Sequence, residues 1–163
     1  MADANKLRIS TELVERIRRQ GVETYPHECC GALLGRDAGS DEGQARPREI
    51  LELFPLVNRR EDSPRNRFSV APLDVIEADK AAQALGLDVV GWYHSHPDHP
   101  AKPSDYDREH AWPWYSYIIL SVHLGVQQEM TSWRLNDDRA GYSEEGIEIR
   151  TGTTVDPECE GEI

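Results

Sequence analysis

An apolar run that ends in two histidines constrains this chain more than any other stretch. Val89-Val90-Gly91-Trp92-Tyr93 reads as a short buried strand, and His94-Ser95-His96-Pro97 carries it to its end. Side chains on a strand alternate faces, so His94 and His96 point the same way. Pro97 has no N–H for a ladder and helps to end the strand. Pro100 and Pro103 stiffen the next turn, after which Ser104-Asp105-Tyr106-Asp107-Arg108-Glu109-His110 reads as the first turns of a helix. Positions three apart share a helix face, which sets Ser104 beside Asp107. Two imidazoles and a carboxylate from a strand end and a helix start suffice for a zinc site with one position left for water. Ser104 and Asp107 have a plainer use as a helix cap, with Ser at the N-cap and an acidic residue at N3.

A hydrolytic site needs a base as well. The candidate is Glu28, at the mouth of a run of small and apolar residues, Cys29-Cys30-Gly31-Ala32-Leu33-Leu34-Gly35, that reads as a central strand, although on the residues alone its plainer reading is a surface carboxylate at a strand end. Gly31 allows another backbone to come close. His27 reads as a loop residue, His99 as solvent-exposed, His110 as a helix-surface or packing residue and His123 as the cap of a strand end.

The rest of the pattern is a sheet with helices. Leu7-Arg8-Ile9 is a short strand, and Ser10 or Thr11 caps a helix with apolar positions Leu13, Val14, Ile17 and Val22, broken at Tyr25-Pro26. Residues 36–46 read as an exposed hairpin loop and residues 48–54 as a strand that Pro55 ends or bulges. Residues 58–66 are polar, with the one basic cluster in Arg59, Arg60, Arg65 and Arg67, and Phe68-Ser69-Val70 is a further short strand. Pro72 opens a helix whose packing side is Val75, Ile76, Ala78, Ala82 and Leu85, ended by Gly86. Residues 115–122 form the clearest strand and residues 128–135 its antiparallel partner; residues 136–138 are a turn and residues 146–149 an edge strand. The expected architecture is α+β or α/β, a mixed, mostly antiparallel curved sheet flanked by helices. Residues 1–138 form the domain, and residues 139–163 an acidic C-terminal extension that frays after Thr151.

A length of 163 residues suits one domain with a sizeable core. The net charge of −12 repels nucleic acid and anionic membranes, so neither is expected as a partner. There is no apolar run of membrane-spanning length and no secretory start at Met1 to Lys6, which makes the cytoplasm the default. Cys29, Cys30 and Cys159 are odd in number and include an adjacent pair, which argues against a disulfide framework; at least one of Cys29 and Cys30 reads as a buried structural cysteine.

Glu28, then His94-Ser95-His96-Pro97, then six residues, then Ser104-Asp105-Tyr106-Asp107 resemble the full signature of the JAMM (MPN-plus) metalloproteases. Glu28-Cys29-Cys30-Gly31 also resembles that family's strand start, and residues 115–122 its strand after the metal helix; the resemblance covers residues 7–136. It implies the JAMM/MPN fold, which is cytidine-deaminase-like. It also implies one Zn2+ held by His94, His96 and Asp107. Glu28 would be the general base that passes a proton to the leaving amine, and Ser104 an oxyanion donor. Zinc would bring the pKa of its water towards about 7 and polarise the scissile carbonyl.

A short stand-alone chain resembles the prokaryotic branch of the family. That implies hydrolysis after the C-terminal Gly-Gly of a ubiquitin-like or sulfur-carrier protein. Such tails dock by adding a strand to a sheet edge. Residues 58–70 are the candidate edge, with Arg59, Arg60, Arg65 and Asn66 as substrate contacts. One alternative is a non-catalytic MPN scaffold that binds partners, against which the complete ligand set speaks. Another is a zinc hydrolase or deaminase of a small molecule, whose Pro-Cys-x-x-Cys ligands are absent here. The carrier, the group released and the choice between monomer and homodimer stay open.

Overall fold

The computed structural model describes residues 6–37, 40–41, 44–45, 47–57 and 72–151. Along the chain run β1 (Lys6–Ser10), α1 (Thr11–Thr24), β2 (Cys30–Asp37), the two-residue strands β3 (Ser40–Asp41) and β4 (Gln44–Ala45), and β5 (Arg48–Leu56). There follow α2 (Pro72–Ala84), β6 (Asp88–Pro97), α3 (Asp105–His110), β7 (Ser116–His123), β8 (Val126–Leu135) and β9 (Tyr142–Arg150). The long strands close a barrel in the order β1-β5-β2-β6-β7-β8-β9. Pairing is parallel for β1 with β5, β1 with β9 and β6 with β7, and antiparallel for the other four neighbours. The sheet is thus mixed and mostly antiparallel, with helices against it, as expected.

Two apolar layers hold it. On one face of β6 and β7, Val90, Tyr93, Ile118, Leu120 and Val122 pack with Leu33 and with Leu13, Val14 and Ile17 of α1. Ser10 caps α1 by accepting the Leu13 N–H at 3.2 Å. Gly21 lets α1 approach, since a Cβ there would lie 2.7 Å from Leu120 Cδ2. On the other face, Trp92, Tyr117, Ala32 and Leu34 pack against Ala78 and Ala82 of α2. Strands β2, β6 and β7 are therefore buried on both sides, which is why they read as near-continuous apolar runs.

Four expectations are corrected. Residues 142–150 are a strand but not an edge: β9 pairs with β8 on one side and β1 on the other, which closes the barrel. Helix α2 packs through its alanines, whose small side chains admit the sheet closely, and leaves Ile76 and Leu85 exposed. Val22 of α1 is likewise exposed. Pro55 neither ends nor bulges its strand; it pairs with Gly31, and the register shift lies elsewhere, at Leu34/Gly35. It is tolerated because β5 has β2 as its sole neighbour there among the described residues, β1 reaching only Arg48 and Glu49. The candidate edge at 58–70 and the tail after Thr151 lie outside the described residues. No helix among the described residues is long and apolar enough to cross a membrane.

Candidate metal centre

Strand β6 is held by β2 and β7 along both edges, and it presents His94 and His96 on one face. Helix α3 brings up Asp107. His94 Nε2 lies 3.2 Å from His96 Nε2, His96 Nε2 lies 3.2 Å from Asp107 Oδ2, and His94 Nε2 lies 3.4 Å from Asp107 Oδ1. One donor atom from each of the three falls within 4.8 Å of the others, in a largely buried setting. His96 Nδ1 sits 2.9 Å from the Pro100 carbonyl, to which it donates, so the Nε2 lone pair faces the cluster. Two nitrogens and a carboxylate converging in this way fit a zinc ion with a coordination position to spare.

The electrostatics suit a cation. Burial works to raise the Asp107 carboxyl, but the neighbouring imidazoles, His94 ahead of His96, outweigh it and hold it well below the usual carboxylate range. Burial lowers His94, against the pull of Asp107, in the direction of the neutral imidazole that a metal binds.

Glu28 precedes β2 and is brought to the site by the contacts that follow it. Cys30 pairs with His94, and Ser95 N–H donates to the Cys29 carbonyl at 3.1 Å while Cys29 N–H donates to Ser95 Oγ at 2.8 Å. Glu28 lies just before this pairing, close enough to the cluster for the Asp107 charge to act on its carboxyl. It is 3% exposed. Burial first, then the charge of Asp107, pushes its carboxyl up to about 9.

Ser104 completes the cap anticipated for it. Its Oγ accepts the Asp107 N–H at 3.0 Å, and Asp107 Oδ2 accepts the Ser104 N–H at 2.9 Å. The cap thus also orients the Asp107 carboxylate. It uses an acceptor lone pair of the hydroxyl and leaves the O–H proton to donate.

Beside His94 and Asp107 opens a cavity of about 260 Å³ with Trp92, Tyr106, Tyr115, Tyr117 and Tyr142 in its walls. Sequence reasoning missed this aromatic wall. Its available signal was Trp92, two residues before His94 and so on the same strand face. Tyr142 had no such signal, since β9 arrives by barrel closure. Arg59, Arg60, Arg65 and Asn66 lie outside the described residues. His27, His99, His110 and His123 are exposed, and His110 stacks on Tyr106 with centroids 4.0 Å apart. Cys29 and Cys30 are buried, and burial pushes the Cys29 thiol up to about 12, which suits a structural residue.

Comparison with known proteins agrees with this geometry. Residues 10–136 match the family described as prokaryotic homologs of the JAB domain. Desampylase from Haloferax volcanii is 35% identical over 110 residues, covering 67% of this chain and 73% of that protein. The probable TtuB-protein conjugate cleaving protease of Thermus thermophilus is 32% identical over 110 residues, covering 68% of this chain and 66% of that protein. The solution structure of a protein from Desulfitobacterium hafniense is similar at a TM-score of 0.73 and 31% identity, over 90% of this chain and 94% of that one. With a family match that spans the Glu28 strand, both histidines and Asp107, the chain belongs to the prokaryotic JAB-domain family.

Proposed function

We propose that this protein is a zinc-dependent peptidase and isopeptidase that hydrolyses the bond after the C-terminal Gly-Gly of a ubiquitin-like or sulfur-carrier protein. The observation that carries the reading is the convergence of His94, His96 and Asp107 on one point, with the buried Glu28 near enough for the Asp107 charge to act on it. The names of the two curated relatives, a desampylase and a conjugate-cleaving protease, support the substrate class.

His94, His96 and Asp107 would hold one Zn2+. Bound there, zinc would polarise the scissile carbonyl, acidify water and, as a nearby cation, favour the ionised Glu28 that a base requires against the burial and the Asp107 charge that raise it. Glu28 takes the proton of the attacking water and delivers it to the leaving amine, a transfer its burial favours by keeping competing solvent away. The Ser104 hydroxyl donates to the oxygen that becomes negative in the tetrahedral state. Pro100, through its carbonyl, fixes which nitrogen of His96 is offered. Arg59, Arg60, Arg65 and Asn66 are assigned to the carrier's acidic surface and tail; an Arg59/Arg60 double alanine variant with unchanged kcat/KM overturns that assignment.

The test is intact mass. A panel of small Gly-Gly-ending carriers, each with a short C-terminal extension, is incubated with zinc-loaded and with chelator-treated enzyme. Zinc-dependent loss of the extension at Gly-Gly is the expected result. An intact panel, with zinc bound to the enzyme, overturns the proposal.

A further inference from the structure

Directly beyond Pro97 the chain turns through Asp98, whose φ of 60° lies in the left-handed region that Asp tolerates better than most residues. Three elements meet on this residue. Its N–H donates to the Val122 carbonyl at 2.7 Å, at the end of β7. Its Oδ1 accepts the Leu124 N–H at 2.8 Å, from the β7–β8 turn. The Tyr25 hydroxyl, just past α1, donates into the carboxylate, lying 2.9 Å from Oδ1 and 2.7 Å from Oδ2. The Tyr25 contact is charge-assisted and so belongs to the stronger class of hydrogen bond. His123 Nδ1 stands 3.7 Å from Oδ1 on the solvent side.

These contacts bracket Glu28. Residues 25–29 belong to no strand or helix; the ladder of β2 starts only at Cys30. Regular backbone pairing therefore does not fix Glu28. Two ties flank it and join its segment to β6 and the turn that follows β6, Tyr25 to Asp98 before it and Cys29 to Ser95 after it. On the β6 side, His96 stands between the same two anchor residues, Ser95 and Asp98.

We propose that Tyr25 and Asp98 are positioning residues that hold Glu28 against the metal-ligating end of β6. The inference rests on the reading of Glu28 as the base. The metal ligands themselves are carried by β6, α3 and the Pro100 carbonyl, so losing the Tyr25 tie displaces Glu28 and spares them.

The test compares Tyr25→Phe, which removes one hydroxyl, with Ile50→Val, a core substitution that destabilises the barrel without touching either tie. Asp98→Asn serves as a second lesion that keeps the turn. On the carrier that the wild type cleaves fastest, Tyr25→Phe is expected to lower kcat roughly tenfold, as small misplacements of a reacting group do. KM and zinc affinity should stay within about twofold, because the substituted group touches neither ligand nor substrate. Asp98→Asn should move the same way by less. Independently of turnover, hydrogen exchange on the zinc-loaded protein should quicken at the Cys29 and Ser95 amides in Tyr25→Phe and stay at the wild-type rate in Ile50→Val. Unchanged exchange at those amides overturns the proposal, as does an equal kcat loss in Ile50→Val at equal loss of Tm. Wild-type enzyme that cleaves no carrier, with exchange responding as expected, overturns the assigned reaction and leaves the placement of Glu28 supported.

Discussion

His96 Nδ1 and the Pro100 carbonyl, 2.9 Å apart, decide how the metal centre is wired. The bond commits one ring nitrogen to the turn and offers the other to His94 and Asp107. The turn is pinned in its own right: Ser121 Oγ donates to the His99 carbonyl at 2.6 Å and Thr131 Oγ1 to the Ala101 carbonyl at 2.6 Å. The orientation of His96 is thus supported from β7 and β8. Removing a ligand side chain should accordingly abolish binding rather than shift it to a neighbour. For His96→Ala and Asp107→Ala, zinc affinity should fall by more than about 100-fold, beyond the range for outer-shell partners. Competition against a chromophoric chelator measures it, and near-wild-type affinity in either variant would refute the ligand assignment.

Glu28→Gln keeps the shape and hydrogen-bonding capacity of the side chain and removes its basicity. Zinc content should stay at wild-type level while kcat falls by roughly 10²–10⁴, the usual worth of a positioned base. Metal analysis and turnover on one preparation separate the two effects. A fully active Glu28→Gln enzyme would rule out the base.

The same residue makes the metal-free protein sensitive to pH. Its carboxyl stands at about 9 when folded, against an ordinary 4.5, with burial as the main cause and Asp107 second. The folded state therefore holds a proton that the unfolded state gives up. Its stabilising share is full below 4.5 and drains away as pH rises towards 9. Chelator-treated Glu28→Gln should lack this decline, so its stability advantage over wild type should widen with pH. Urea melts of both proteins between about pH 5 and pH 8 would show it; parallel curves would mean that Glu28 is ionised in the folded metal-free protein.

What was legible in the sequence follows from the range of the forces involved. His94 and His96 were readable because period-two alternation on one strand is local, and Ser104 with Asp107 because a capping box is local too. Glu28 nears them only through the pairing of β2 with β6 and the contacts that flank it, which strand propensity does not encode; the motif pattern, not the physics of the segment, singled it out. Barrel closure was hidden for a similar reason. Strand β9 carries Glu144, Glu145 and Glu148, and a run so acidic reads as an edge. Yet Glu145 is 2% exposed, bonded to Ser132 Oγ and Arg134 Nε at 2.8 Å each, and so supports a strand with neighbours on both sides.

Ser104 has two uses that substitutions can separate. As a cap, its replacement by Ala should cost about 1 kcal/mol of stability, and by Gly only a few tenths. As an oxyanion donor, either change should lower kcat by about 10²–10³. The expected result is that Ser104→Gly approaches wild type in Tm and zinc affinity and matches Ser104→Ala in lost turnover. If kcat instead follows Tm, with Ser104→Gly nearly as active as wild type, the hydroxyl serves the helix alone.

Arg48 shows how far a local reading can miss. It opens β5, where a charged residue reads as exposed, and it is 0% exposed. Its Nη1 donates to the carbonyls of Val90 and Trp114 at 2.9 and 2.7 Å and to Ser116 Oγ at 3.0 Å, and the guanidinium lies 4.3 Å from the centre of the Trp114 ring. Asp37, at 3.3 Å, is one-third exposed and contributes the lesser share. Three acceptors on β6, β7 and the loop before it are thereby gathered onto β5, across the β2 strand between. Arg48→Met preserves much of the apolar stem and leaves those acceptors without their donor. The expected loss is about 3 kcal/mol, chiefly from desolvated oxygens left unpaired. Urea unfolding of the two proteins decides it. A loss below about 1 kcal/mol would mean that solvent takes over the role of the guanidinium, and that this end of the barrel is wetter than the burial of Arg48 implies.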